Sequence, residues 1–453
     1  MKPQPQGLFA RGPAFLLAAS LCASAPGAYA INYGIYDSRA LAMGGTVIAI
    51  GDTSQAAYYN PALLSFHEGD EDKTRDGRVY FPTVVAQATN AVADAVKAAD
   101  DNLDTELSDS VNTFNNQLTT ANAGLVAKSA EDLRKALNKI ANKDLSADVF
   151  VGLSVSEPSD HEGGAFYVGA RAIGVGVAAV SKADLALLDD YISAMQAIAA
   201  GTSPQTVAAQ HPNLIGANGK LKDPTSTLTS SADISALAIG EWGLAMAKEF
   251  TFWGQAVSFG FTPKMMRVNA YRDDASFIDS NITGLNDGLN QFSDTKSTHM
   301  SFNADFGIAA IVADHYRISL AMKDAFAKDF STKQAVDPDT GLAGPDLTVK
   351  LRPRSRLGLG YVNDNLSVGV DYDLHESTPM ATEAPSQEIS FGAEYRPFSV
   401  LALRLGYRED KTGARDNIVS GGIGLHWRRF VADFSYAQSS EMKGGGLQLG
   451  WTF

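Results

Sequence analysis

The 453-residue sequence has a single cysteine, Cys22, and it lies in the first thirty residues. That stretch reads as a secretory leader: Lys2 and Arg11 in front, an apolar run from Ala14 to Ala25, and a small-x-small cleavage site at Ala28-Tyr29-Ala30. Leu21 precedes the cysteine where a lipid-attachment site needs a small residue, so the leader is not read as a lipoprotein signal. The chain expected after cleavage near Ala30 has no cysteine, which excludes disulfides, thiol catalysis and Cys-ligated zinc together. Export without disulfides fits a Gram-negative envelope.

Basic charge is also scarce. Removing Lys2 and Arg11 from the 37 basic residues leaves 35 against 51 acidic ones, a net charge of −16, which argues against direct nucleic-acid binding. Long apolar runs are missing too. The best, residues 234 to 249, is interrupted by Ser235, Glu241 and Lys248, so any membrane crossing must be made by strands.

Catalytic and cofactor motifs are equally thin. His67, His161 and His299 are scattered with no HExxH pair, and Gly174-Val175-Gly176 lacks the third glycine of a dinucleotide fingerprint. No Gly-x-Ser-x-Gly elbow nominates a nucleophile. Asp337-Pro338-Asp339-Thr340-Gly341 reads as a turn rather than a calcium loop. No enzyme, cofactor or metal is expected.

What the sequence has is alternation. Met300, Phe302, Ala304, Phe306, Ile308 and Ala310 oppose Ser301, Asn303, Asp305 and Gly307; Leu366, Val368, Val370, Tyr372 and Leu374 oppose Ser367, Gly369, Asp371, Asp373 and His375. The pattern persists to the last residues, where Leu447, Leu449, Trp451 and Phe453 share one face. Runs of about ten residues suit a tilted bilayer crossing. Tyr361, Tyr372, Tyr395, Tyr407, Trp427, Trp451 and Phe453 near strand ends on the apolar face predict an aromatic girdle.

Strands are predicted near 78–90, 146–156, 164–179, 231–247, 254–271, 298–312, 316–329, 346–362, 365–375, 386–397, 400–410, 416–429, 430–439 and 443–453. That even count puts both ends on one side, and connection lengths agree: Ala313-Asp314-His315, Asn363-Asp364, Phe398-Ser399 and Arg429-Phe430 are short, whereas 91–145, 180–230 and 272–297 are long. The expected fold is all-β: a transmembrane antiparallel barrel of about 14 strands over 78–453, behind an irregular segment at 31–77.

Two long connections, 91–145 and 180–230, carry helical stripes. Val92, Val96, Ala99, Leu103, Leu107, Val111, Phe114 and Leu118 recur at steps of three and four; Leu133, Leu137 and Ile140 follow an N-cap candidate at Ser129; Leu185, Leu188, Ile192, Met195 and Ala199 follow Ser181. A further stripe runs through Ile278, Ile282, Leu285, Leu289 and Phe292. These inserts are expected as lids over the barrel mouth.

Two constellations stand out within strands. Lys350, Arg352, Arg354 and Arg356 share one face of the strand at 346–362; facing lipid they would cost about 2 to 4 kcal/mol each, so they are expected in the lumen with Asp371 and Asp373 opposite. Such a ladder either tunes an aqueous path or draws an anionic head group, or it is a structural salt-bridge network. At Gly240-Glu241 the apolar phase switches, since Leu237 and Ile239 are out of step with Trp242, Leu244 and Met246. A wall bulge is the simplest cause, acting either as a lateral gap for a greasy ligand or as a plain bend.

The opening Ser38-Arg39-Ala40-Leu41-Ala42-Met43-Gly44-Gly45, followed by Tyr58-Tyr59-Asn60-Pro61-Ala62, resembles the start of the FadL/TodX outer-membrane transport superfamily. Within it the wording is most similar to conjugal transfer TraF-type barrel proteins; thioredoxin-like proteins sharing the TraF name are ruled out by the cysteine-free mature chain. The resemblance implies an N-terminal hatch inside the barrel, with Arg39, Gly44, Gly45, Asn60, Pro61 and Ala62 as its motif residues. It implies a porin-like protein that passively takes up hydrophobic or amphipathic small molecules across the outer membrane. Expected partners are outer-membrane lipid, lipid-like small molecules and, during biogenesis, the barrel-assembly machinery. The alternative is a surface component of a conjugative or secretion apparatus, meeting conjugation or envelope proteins through its helical extracellular inserts.

Overall fold

The computed structural model describes residues 31–66, 77–159, 161–276, 296–332, 348–377, 380 and 385–453. The leader, the stripe at 278–292 and the turn at 337–341 lie outside these residues.

Fourteen antiparallel strands close into a barrel. They are β1 (Arg78–Thr89), β2 (Asp144–Pro158), β3 (Glu162–Ala179), β4 (Ser231–Phe252), β5 (Gln255–Ser276), β6 (Ser297–Val312), β7 (Tyr316–Lys323), β10 (Arg354–Val362), β11 (Leu366–Asp373), β12 (Glu388–Phe398), β13 (Leu401–Asp410), β14 (Ile418–Trp427), β15 (Phe430–Gln438) and β16 (Met442–Thr452). Two further short strands, β8 (Lys328–Ser331) and β9 (Thr348–Leu351), pair among the described residues only with each other. Each barrel strand otherwise pairs with its chain neighbours, and β16 returns to β1, so Val84 lies opposite Leu447 and no edge is left open. The start of β1 and Phe453 meet at the end of the barrel that carries the short turns, where Phe453 N donates to Gly77 O at 2.8 Å. One of these turns is Trp253-Gly254, where both residues take left-handed backbone and the neighbours Phe252 and Gln255 pair.

The outward faces are apolar, and aromatic side chains ring both rims. Trp253, Tyr316, Tyr395, Phe398, Trp427, Trp451 and Phe453 are exposed near the short turns, and Tyr372 and Tyr436 near the long connections. Of the predicted girdle, Tyr361 and Tyr407 are half-buried.

Three expectations require correction. The strand expected over 316–329 ends at Lys323, and the one expected over 346–362 breaks into β9 and β10. Asp324 takes a left-handed conformation that turns the chain out of the ladder, and Pro353 has no N–H to donate to one. Lys350 and Arg352 therefore leave the barrel wall, and only Arg354 and Arg356 of the expected ladder remain on β10.

The bulge at Gly240-Glu241 is absent. Gly240 faces Ala170 and Arg267, Glu241 faces Gly169 and Met266, and the register runs through both without slipping. The odd residues Ser235, Leu237, Ile239, Glu241, Ala245 and Ala247 all turn inward. The apolar phase switches because the filling of the lumen changes, while the backbone does not. Register slips do occur at prolines, between Tyr80 and Thr83 around Pro82 and between Tyr395 and Phe398 around Pro397.

The long connections after β1 and β3 hold α3 (Asn90–Asp100), α4 (Leu103–Asn116), α5 (Thr120–Ile140), α6 (Lys182–Ala199) and α7 (Pro204–Gln210). Helices α1 and α2 precede β1 and are described below. Of the predicted stripes, Leu107, Val111 and Phe114 of α4, Leu133 and Leu137 of α5, and Leu188 and Met195 of α6 form one core together with Val126 and Ile198, while Val96 and Leu118 are exposed. That core also takes in Leu145, Ala178 and Val180 at the ends of β2 and β3, so the two inserts form a single body seated on one flank of the rim. Ser181 caps α6 as expected, accepting from Ala183 N. Ser129 caps nothing: it lies inside α5, where its hydroxyl donates to Leu125 O, and Thr119 is the cap.

Candidate functional site: a plugged lumen with one apolar wall

Residues 31–66 fold inside the barrel as α1 (Ser38–Ala42), α2 (Thr53–Ala56) and a 3₁₀ turn, Pro61–Ser65. Short helices survive here because each is capped. Asp37 accepts from Ala40 N at 2.9 Å and from Gln55 Nε2 at 2.8 Å, and Asp52 and Gln55 make a capping box on α2. Asn60 accepts from Ala62 N at 3.1 Å while its amide donates to Ile48 O at 2.9 Å, and Pro61 starts the turn where no N–H is required. Burial pushes the Asp37 carboxyl up to about 6.

The motif residues Arg39, Gly44, Gly45, Asn60, Pro61 and Ala62 come together in this plug. Arg39 donates through Nε to Glu394 at 2.9 Å, through Nη2 to Ile50 O at 3.1 Å, and through Nη1 to Gln55. Glu394, on β12, also receives Arg404 at 2.6 Å and Arg396 at 2.8 Å, and Arg404 continues to Asp433. A charged relay thus fastens the plug to three strands.

Glycines do the rest. Gly44 and Gly45 occupy left-handed backbone at φ +69° and +94°. Opposite Gly44, a Cβ on Gly406 would lie 2.1 Å from the Gly44 nitrogen; one on Gly260 would lie 2.2 Å from Ala62 N, and one on Gly307 2.0 Å from Asn60 Oδ1. The Asn-Pro-Ala turn is therefore pressed against bare backbone of β5 and β6. This role was hidden in the sequence, where inward glycines read only as the polar beat of a strand.

Wall side chains complete the fastening. Asp371 accepts from Val47 N at 2.7 Å and Ile48 N at 2.9 Å, so it serves the plug and not the arginine ladder. Ser420 accepts from Gly44 N and donates to Ala42 O, both at 3.0 Å; Ser258 donates to Ala62 O at 2.7 Å; Lys323 donates to Tyr58 O at 2.8 Å.

The surviving ladder residues face the lumen. Arg356 pairs with Asp373 and with Glu388 at 3.3 Å, and Arg354 pairs with Asp324 and donates to Ile31 O at 2.9 Å. Lys350 and Arg352 lie apart from them, Arg352 pairing with Asp329 in the β8–β9 sheet. Glu241 faces a cluster that sequence reading missed: Lys264 Nζ lies 3.4 Å from Glu241, 2.9 Å from Asp305 and 2.7 Å from Asp324. Carrying the alternation of β5 and β6 one step further would have aimed Lys264 and Asp305 at each other.

Above this charged floor the lumen changes character. Ile173 and Val175 of β3, Leu237 and Ile239 of β4, and Met266, Val268 and Ala270 of β5 form a continuous apolar inner wall. Phe330, Val349 and Leu351 of β8–β9 pack on it, together with Ile31 and Met380. Beneath, a cavity of about 20 Å³ lined by Tyr36, Phe150, Arg171 and Glu241 has room for about one water. A second cavity, about 80 Å³, opens at the rim between Leu145, Val175, Ile418 and Met442.

A family model described as "F plasmid transfer operon, TraF, protein" matches residues 57–373, which is 317 of the 453 residues. The chain belongs to this family. The match includes Asn60-Pro61-Ala62 and begins after Ser38–Gly45. No curated protein matches the sequence. Among solved structures the chain is similar to the CymD monoaromatic hydrocarbon channel, with 12% identity, 93% of this chain and 98% of that chain covered and a TM-score of 0.46. It is also similar to a Pseudomonas aeruginosa FadL homologue (10%, 94% and 99%, 0.46) and to the P. putida toluene transporter TodX (11%, 92% and 97%, 0.44).

Proposed function

We propose that this TraF-family chain is an outer-membrane barrel that passively admits hydrophobic or amphipathic small molecules past its N-terminal plug. The observation that carries the reading is the apolar inner wall of β3–β5. A water-filled pore has a polar interior, whereas here seven lumen-facing positions on three adjacent strands are Ile, Val, Leu, Met and Ala. An apolar solute gains by leaving water for such a surface, and no energy source is needed for it to move down its gradient.

The decisive experiment is flux in proteoliposomes. An uncharged aromatic dye should cross faster than in protein-free vesicles, while a hydrophilic sugar should not. Equal rates for the dye with and without protein would end the proposal.

A second reading is favoured by the helical body. It has its own core and stands on one flank of the rim, the form of a docking module, and it suits a component of a conjugative or secretion apparatus. Replacing residues 91–142 by a short turn separates the two: loss of conjugation or of a crosslinked envelope partner with dye flux unchanged would favour docking.

A further inference from the structure

We infer that the β8–β9 sheet is an autoinhibitory strap: it holds the apolar wall of β3–β5 occupied with its own side chains and must leave before that wall can receive a solute. The inference rests on the uptake reading for its biological meaning, but its physical content is testable alone.

Four observations carry it. First, among the described residues β8 and β9 belong to no barrel ladder and pair as strands only with each other, over four residues, Lys328 to Leu351 through Ser331 to Thr348. A two-stranded sheet of that length has little stability of its own. Second, its inward side chains imitate a ligand. Phe330, Val349 and Leu351 are almost fully buried, and what buries them is the lumen wall. One aromatic ring and two branched aliphatic groups thus fill the site an uncharged aromatic or alkyl-aromatic solute would use.

Third, β8 is fastened at the rim, where Ser331 O accepts from Ser297 Oγ at 2.6 Å and lies 3.0 Å from His299 Nε2; Arg352, pairing with the half-exposed Asp329 and donating to Lys328 O at 3.0 Å, ties the two strap strands to each other. Fourth, the strap leaves the barrel at fixed points. On one side Asp324, with left-handed backbone, is held by Lys264 and Arg354, and the next residues are held by β6, Ala325 N donating to Ala304 O at 2.9 Å and Phe326 N to Asn303 Oδ1 at 3.0 Å; on the other Pro353 directly precedes β10. β8 and β9 lie beyond those points and can move while β7 and β10 stay paired through Lys323 and Arg354.

If the strap occupies the site, a solute's apparent affinity is reduced by the fraction of molecules in which the strap is away. Two variants test this in lipid nanodiscs with an uncharged aryl diazirine as photoactivated probe, with adducts mapped by mass spectrometry. Phe330→Ala removes the main occupant, and labelling of Val175, Leu237, Ile239 and Met266 should rise about tenfold. Because that substitution also makes a cavity, the second variant, Asp329→Ala with Arg352→Ala, keeps all three apolar side chains and only loosens the strap; labelling should rise about twofold to threefold. Heat-modifiable gel mobility checks that each barrel is closed, and if Phe330→Ala fails to fold the double variant decides.

Wild-type protein labelled at the wall as strongly as the variants, or a folded double variant with no gain, would overturn the strap. Wall labelling that rises in both variants while dye flux stays at the protein-free rate would leave the strap standing and sink the uptake reading. Flux without any wall labelling would do the reverse.

Discussion

The two halves of the barrel wall solve different problems with the same strand geometry. On β10 to β14 most inward positions are glycines, serines and charged residues, among them Gly358, Asp371, Gly392, Glu394, Arg404, Gly406 and Ser420. These strands run eight to eleven residues. On β3 to β5 the strands run 18 to 22 residues, and above the level of Glu241 and Lys264 their inward positions are aliphatic apart from Arg171 and Ser235. The short half grips the plug; the tall half rises past it and lines a chamber with grease. Burying charge is tolerable on the short half because almost every cation has a carboxylate or carbonyl in reach, and on the tall half such pairing is confined to Arg171 and the Lys264 cluster.

The largest effect should come from breaking the grip. Glu394→Ala leaves Arg39 and Arg404 facing each other without their shared carboxylate, and should cost about 3 to 5 kcal/mol, read as a fall in the temperature at which the heat-modifiable gel shift occurs. Next, Gly406→Ala should displace the plug at Gly44 and cost about 1 to 3 kcal/mol, while Gly421→Ala, whose Cβ would meet nothing closer than 3.5 Å, should behave like wild type. Protease protection of residues 31–66 separates the two glycines. On the tall half, Leu237→Ala should cost about 2 to 3 kcal/mol with the plug still protected, because it opens a void in the chamber and leaves the grip intact.

Acidity tests the plug itself. Asp37 is raised from 3.8 to about 6 by burial, so its stabilising contribution is complete below pH 3.8 and is lost as pH rises through about 6. Asp37→Asn keeps an acceptor for Ala40 N and should hold the plug about 2 kcal/mol more tightly at pH 7 than wild type, with the difference vanishing below pH 4. A wild-type plug whose protease protection does not change between pH 4 and pH 7 would contradict this. The smallest effect lies outside the barrel: Thr119→Ala should cost the helical body about 1 kcal/mol and Ser129→Ala close to nothing, measured by hydrogen exchange of α5.

Much of the fold could be read from the sequence, for a physical reason. Lipid imposes one continuous apolar face on every strand, so Met300–Ala310 or Leu447–Phe453 announce themselves. What the lumen contains imposes no such uniform demand. Where the plug fills it, inward residues are polar or absent; where the strap fills it, Leu237 and Ile239 turn inward, and the mismatch imitates a bulge. Four cations at alternate positions look like one strand, but Pro353 between Arg352 and Arg354 cannot donate to a ladder, so Lys350 and Arg352 fall outside the wall. The motif at Arg39 and Asn60 marked the plug, but which strands it touches is set by glycines whose meaning appears only when the two backbones meet.

The scattered anchoring of the plug also decides how it would respond to force. Its contacts are spread through the segment in order: Arg171 and Arg354 hold residues 31–32, Ser435 meets Ser38, Glu394 holds Arg39, Ser420 the Ala42–Gly44 turn, Asp371 residues 47–48, and Ser258 the turn at Ala62. Tension applied at residue 31 loads these one after another, like stitches in a seam, and each gives way before the next bears weight. A push spread evenly over the plug's face meets them all at once. The same plug is thus weak to a tug on its leading end and strong against pressure.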